Sequence, residues 1–220
     1  MIPNSKFKSS ALCLMVATVL YGGVALSQDA PPARPVVVLI GPPLSGKTTF
    51  VTRIQDNYGI PGISVEDLIR DNASELRKMN PQNVSLAEMR YDPAMSRYLR
   101  TRLDRMDLSR GVALDGFPAT RHQAEDLAKM NADLALNPIV FQLEIPDEIV
   151  RKRAAQGGRQ SDTPRIIEQR IKDYHREFDM ISAYFPNAKI VKIDGTQSED
   201  NVWKVMKQAL DQAKVGPVTK

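Results

Sequence analysis

Cysteine is almost missing from this 220-residue chain: its one copy, Cys13, lies in an N-terminal segment with the make-up of a leader. Without that segment no thiol is left, which excludes disulfides, thiolate metal sites and a cysteine nucleophile. Lack of cysteine also suits an oxidising compartment. An excess of charge of one sign is missing too. The chain has 30 Lys and Arg against 26 Asp and Glu, and setting aside Lys6 and Lys8 of the leader leaves 28 against 26, a net of +2. A surface so nearly balanced lacks the basic footprint of a nucleic-acid binder, and no nucleic-acid partner is expected. Internal repeats are absent, and low-complexity sequence is confined to one proline-rich stretch.

The N-terminus does hold a polar stretch, Met1 to Ser10, then the almost wholly apolar Ala11 to Leu26, then small residues at Ala25 to Ser27. This is the order of a cleaved signal peptide over residues 1–27. The apolar part is shorter than the ~20 residues a helix needs to cross a bilayer. Cleavage implies an exported protein, periplasmic or secreted; an uncleaved leader implies an anchor, the one membrane contact expected. Residues 28–35, with Pro31, Pro32 and Pro35, read as an extended linker. One domain is expected from residue 36 to 220, long enough to bury a core.

Within that domain, Val36 to Ile40 is a continuous β-branched run closed by Gly41, the pattern of a strand buried on both faces. Residues 111–115, 139–143 and 189–193 repeat it, and 60–64 adds a short fifth strand. Helical stretches lie at 47–57, 93–106, 121–130, 147–155, 164–184 and 201–213, and Ser64-x-x-Asp67 signals a helix start just after the fifth strand. Alternation of this kind predicts an α/β fold with a doubly wound, parallel five-stranded sheet. In such sheets ligands gather at the carboxyl ends of the strands.

The run GPPLSGKTT at 41–49 meets the phosphate-loop pattern from Gly41 to Thr48 without a mismatch. A buried strand enters it and a helix leaves it, the context the pattern requires. Gly41, Leu44, Ser45 and Gly46 would turn their amides toward one point at the helix N-terminus. Lys47 adds a charge for the β- and γ-phosphates, and Thr48 or Thr49 a hydroxyl for Mg²⁺. The expected fold is therefore that of the P-loop nucleoside triphosphate hydrolases. No Asn-Lys-x-Asp guanine-reading element is present, which argues against a GTPase.

Three more motifs stand in register with the loop: YGIPGIS at 58–64, DGFP at 115–118 and DGT at 194–196. In order and spacing the chain resembles the adenylate kinases from about Val36 to the last helix. The resemblance implies a monomeric nucleoside monophosphate kinase that moves the γ-phosphoryl of ATP to AMP or a related monophosphate, with Mg²⁺ as cofactor and small nucleotides as partners. Such transfer needs charge neutralisation and in-line positioning. Lys47, Asp115, Arg159 and Arg170 are the implied catalytic residues. Arg159 and Arg170 match arginines that clamp the transferring phosphoryl, Asp115 would hold Mg²⁺ through water, and Asp162 matches an acid that organises the hinge. On the donor side Arg153 matches an arginine that stacks on adenine, and Gly195 lets the backbone approach that base. Residues 63–95 match the acceptor-binding segment. There Arg70 would hold the acceptor's α-phosphate; Gln123 would read its base edge, with Gly116, Arg121, Arg159 and Arg170 around it.

By their own context some of these residues read otherwise. Arg170 sits in a dense charge run over 165–176, the usual mark of a solvated helix face. His122 and His175 read as surface groups, and Trp203 as packing for the last helix. The chain also departs from the family pattern. Ala119 stands where an acceptor-phosphate arginine follows DGFP, and Arg121 is placed to reach in from the next turn. The lid, residues 154–160, is vestigial, and one of its arginines has no counterpart. Val65 replaces a threonine that commonly meets the acceptor base, and Leu44 a loop glycine. An active kinase is the favoured reading; a weak or inactive nucleotide-binding module and a kinase for another small acceptor are the alternatives.

Overall fold

A computed structural model describes residues 34–79, 86–157, 162–183, 185 and 188–216. The leader, the linker up to residue 33, the last part of the lid and Arg159 lie outside the described residues.

Five parallel strands form one sheet in the order β2-β3-β1-β4-β5. They are β1 (Arg34–Ile40), β2 (Gly62–Ser64), β3 (Val112–Asp115), β4 (Leu136–Glu144) and β5 (Lys189–Asp194). This is the doubly wound α/β sheet expected of a P-loop fold. β1 is central, with Val38 opposite Leu114 on one side and Val140 on the other. Val36 to Leu39 are at most 1% exposed, which explains why this strand reads as an unbroken apolar run.

Alternation along β1 divides the core. Val36, Val38 and Ile40 pack with α2 (Val65–Asp71), α5 (Ala94–Leu103) and α6 (Arg121–Asp133). Val37 and Leu39 pack on the opposite face with α1 (Lys47–Tyr58) and α9 (Glu199–Gln212). Trp203 belongs to this second layer, edge-on to Tyr58 at 6.3 Å, so it packs the last helix as expected. A smaller cluster, Ile145, Val150, Ile167 and Ile171, joins α7 (Asp147–Gly157) to α8 (Pro164–Ala183).

Several boundaries differ from expectation for local reasons. β1 starts at Arg34 because Arg34 and Pro35 pair with Leu136 and Asn137, which also draws β4 back from 139 to 136. α9 starts at Glu199 because the Ser198 side chain accepts from the Asn201 amide at 3.4 Å. Ser64 caps α2 in the same way, accepting from Asp67 at 3.0 Å, as the sequence indicates. Two short helices, α3 (Ala73–Met79) and α4 (Leu86–Met89), were not expected from the sequence. Among the described residues no helix is long and apolar enough to cross a membrane.

Candidate active site

The chain leaves β1 toward α1 on one face of the sheet and leaves β3 toward α6 on the other. Adjacent strands whose connections diverge leave a crevice at their carboxyl ends. The loop at 41–46 and the turn at 115–119 meet there.

Gly46 closes the loop in the left-handed region at φ +93°, and a Cβ on Gly41 would lie 2.8 Å from the Leu143 carbonyl oxygen. Leu44, where a glycine is usual, also has positive φ, +60°. That conformation costs a residue with a Cβ about 1–2 kcal/mol. Its side chain packs against the cluster between α7 and α8, which offsets part of the strain. Arg153 braces the same residue: one guanidinium nitrogen donates to the Leu44 carbonyl at 3.0 Å and the other to the Gly195 carbonyl at 2.8 Å. The loop is thereby tied to the turn after β5, where a Cβ on Gly195 would meet the Ile145 side chain at 2.8 Å.

Lys47 folds back over the loop. Its Nζ donates to the Gly41 carbonyl at 2.9 Å, the Pro42 carbonyl at 2.8 Å and the Ser45 hydroxyl at 3.2 Å. Burial lowers its pKa to about 8; Asp115 opposes this, while Arg90 and Arg170 push the same way as burial. Thr48 Oγ1 donates to the buried Asp115 carboxylate at 2.5 Å, and Thr49 is exposed beside it. Hydroxyl and carboxylate oxygens form the hard donor set that Mg²⁺ prefers. Among the described residues no group of three metal-ligating side chains occurs. A magnesium ion that arrives with phosphates needs only one or two carboxylates, so these residues fit it.

Arg170 is not part of a solvated face. Its guanidinium reaches Asp162 at 2.8 Å, with side chains only 15% and 1% exposed. The charge run misleads because α8 turns Arg170 and Asp173 inward while Arg165, Lys172 and Arg176 stay out. Arg170, Lys47, Gly116 and Arg90 line two adjoining cavities. One, of about 230 Å³, also takes in Leu44 to Gly46, Thr48, Thr49, Glu66, Asp115 and Asp162. The other, of about 60 Å³, runs toward Pro118, Ala119 and Tyr91.

The acceptor side differs most from expectation. Arg70 is 71% exposed and pairs with Asp67 and Asp71 of its own helix, lining neither cavity. Arg121 is 60% exposed and turned along α6 onto Glu125, not into the crevice. Gln123 is fully buried. Its amide accepts from the Ala119 N–H at 2.7 Å and donates to the carbonyls of Arg90 at 2.8 Å and Asp92 at 3.3 Å. In this state it reads protein backbone, not a ligand edge. Val65 is buried too and packs over Gly116.

Sequence reasoning missed Arg90. It follows α4, carries no motif, and enters the crevice only through the packing of 88–92 against the turn at 115–119. His122 and His175 are exposed, as expected of surface groups.

A phosphate loop whose mouth gathers a lysine, two arginines and a threonine–aspartate pair places this chain among the P-loop phosphate-transfer proteins. The family model described as adenylate kinase matches residues 39–190. The chain is 34% identical to an adenylate kinase of Micrococcus luteus over 79% of its length and 89% of that protein. An adenylate kinase of Mycobacteroides abscessus is also 34% identical, over 79% of this chain and 98% of its own. One from Bacteroides thetaiotaomicron is 32% identical over 80% and 98%. The chain belongs to the adenylate kinase family and is a nucleoside monophosphate kinase.

Proposed function

We propose that this enzyme transfers the γ-phosphoryl group of magnesium-ATP to AMP, giving two molecules of ADP. An oxygen of the acceptor's α-phosphate forms the new bond to the γ-phosphorus. The bond from that phosphorus to the β–γ bridging oxygen breaks, and its electron pair leaves with ADP. Catalysis of this step is positioning and charge neutralisation. The observation that carries the reading is the convergence of Lys47, Thr48, Asp115 and Arg170 on one crevice in a chain of this family.

In this reading the amides of 41–46 receive the β-phosphate, and the ammonium of Lys47 leaves its loop carbonyls for the β- and γ-phosphates. Arg170, held by Asp162, faces the group in transit, and Arg159 joins it by resemblance. Thr48 and Asp115 would hold Mg²⁺, which neutralises the charge developing on the phosphate oxygens. Arg153 steadies the loop from the donor side and offers its plane to the adenine. The acceptor side is closed down: about 60 Å³ is far less than a nucleotide occupies, so AMP enters only when this side opens.

Val65, which offers an acceptor base no hydrogen bond, and the occupied amide of Gln123 favour one second reading, the same transfer to a different nucleoside monophosphate. A coupled assay of ATP with AMP, CMP, UMP and GMP tests both. ADP should form from ATP and AMP in the presence of Mg²⁺, and Lys47→Ala should lower the rate by roughly 10³-fold or more, as loss of a preorganised charge does. ADP no faster than with Lys47→Ala would sink the proposal, and faster turnover with another monophosphate would select the second reading.

A further inference from the structure

The acceptor site has lost an arginine at Ala119, and neither Arg70 nor Arg121 points into the cavity beside it. The cavity nevertheless has a second guanidinium besides that of Arg170. Arg90 lines both chambers together with Lys47 and Arg170, and its side chain is only 15% exposed. One terminal nitrogen donates to Glu66 at 2.6 Å. That nitrogen also lies 4.0 Å from where a Cβ on Gly116 would stand, directly over the turn that Ala119 ends. The Nε is buried and has no hydrogen-bond partner. A buried guanidinium N–H without an acceptor is costly and calls for one.

Its backbone is placed with equal care. The single buried amide of Gln123 accepts from the Ala119 N–H and donates to the Arg90 carbonyl, so one side chain stitches the two positions together. The approach of 90 to 119 is therefore built into the core and does not depend on a surface loop. Arg90 and Arg170 also repel Lys47 in the empty crevice, a repulsion that Asp115 and Glu66 oppose. A bound dianionic phosphate relieves both that repulsion and the orphaned N–H.

We infer that Arg90 is the acceptor-phosphate arginine of this enzyme, taking over from α4's side of the crevice the contact that Ala119 cannot make, with Glu66 and Gln123 as its positioning residues. The inference rests on the kinase reading for the identity of the ligand, a nucleoside monophosphate, but not on turnover.

Calorimetry on the full chain tests it by comparing each monophosphate with its own nucleoside, AMP with adenosine first and then the other three bases. The wild type should bind the monophosphate more tightly than the nucleoside, and Arg90→Met should erase that preference, a loss of at least ~10-fold for one charge-assisted contact. Affinity for a magnesium-ATP analogue should stay within about threefold, because uniform damage to the crevice would lower both. Arg90→Lys, which keeps charge and stem, should lose part of the preference, and it serves as the readout if Arg90→Met does not fold. Ala119→Arg placed in the Arg90→Met background should restore monophosphate binding. Retention of the preference in Arg90→Met, or equal losses of monophosphate and ATP-analogue binding, would overturn the inference. A wild type that prefers no monophosphate to its nucleoside would overturn it as well. A wild type that binds but does not transfer would sink the kinase proposal and leave this comparison standing.

Discussion

Raising the pH from 7 to 9 should weaken the binding of a magnesium-ATP analogue about tenfold, through Lys47. Burial holds its pKa near 8 instead of the ordinary 10.5. From that value about nine-tenths of the lysines are charged at pH 7 and about one-tenth at pH 9. A triphosphate against the ammonium stabilises the charged form and lifts the pKa back up. Binding at pH 9 therefore takes up nearly one proton, whereas at pH 7 it takes up almost none. Affinity falls as pH rises through the free value near 8 and goes on falling up to the bound value. Phosphate groups are already ionised over this window, so the nucleotide adds little of its own.

The same shift acts on folding with the opposite sign. Confining the ammonium costs the empty protein roughly 3 kcal/mol below pH 8, at about 1.4 kcal/mol per tenfold. The unfolded chain binds more protons between pH 8 and 10.5, so stability of the unliganded protein should rise with pH there as ligand affinity falls. Titration calorimetry with a non-hydrolysable analogue reads both affinity and proton uptake, at fixed ionic strength and in two buffers of different ionisation enthalpy. Affinity that stays flat from pH 7 to 9 would show that Lys47 does not titrate on binding. So would an unchanged slope in Lys47→Arg, whose guanidinium cannot titrate in this range.

Two further outcomes follow from backbone and donor-side geometry. Gly111→Ala should lower stability by roughly 3 kcal/mol or more, since left-handed strain and a steric clash act together. The φ there is +85°, and a Cβ would stand 2.0 Å from the Pro35 carbonyl oxygen in the neighbouring strand. The thermal midpoint should fall by roughly 6–12 °C for a chain of this size; a midpoint that does not move would contradict the geometry. Arg153→Met removes the two hydrogen bonds between the phosphate loop and the turn after β5. It should raise KM for ATP about tenfold while KM for the acceptor changes little, and parallel changes in both constants would count against a donor-side role.

Much of the donor site was legible in the chain because its parts are local. Strand, glycine loop, lysine and helix follow one another within about fifteen residues, so backbone geometry alone brings them together. Asp115 could be placed because it ends a buried strand, and strand ends gather at one edge of a parallel sheet. Arg170 was less readable: inside a run of alternating charges, only the rotation of α8 separates the inward Arg170 and Asp173 from the outward Arg165, Lys172 and Arg176. The acceptor side was least readable. Arg70 fits the motif register, yet two acids of its own helix, Asp67 and Asp71, draw it to the surface.

Fold class, the order and type of the main elements, the phosphate loop and family membership are all written in the chain. These depend on hydrophobic periodicity and on residue types at fixed short spacings, which act over one or two elements. Which arginines face the crevice depends instead on the packing of segments distant in the chain. A guanidinium side chain is as much at home in water as in an ion pair, and its own neighbours in the chain say little about which it will find. Arg90 stands beside Ala119 because the buried Gln123, one turn beyond Ala119, joins their backbones, a relation between segments about thirty positions apart in the chain that no local pattern encodes.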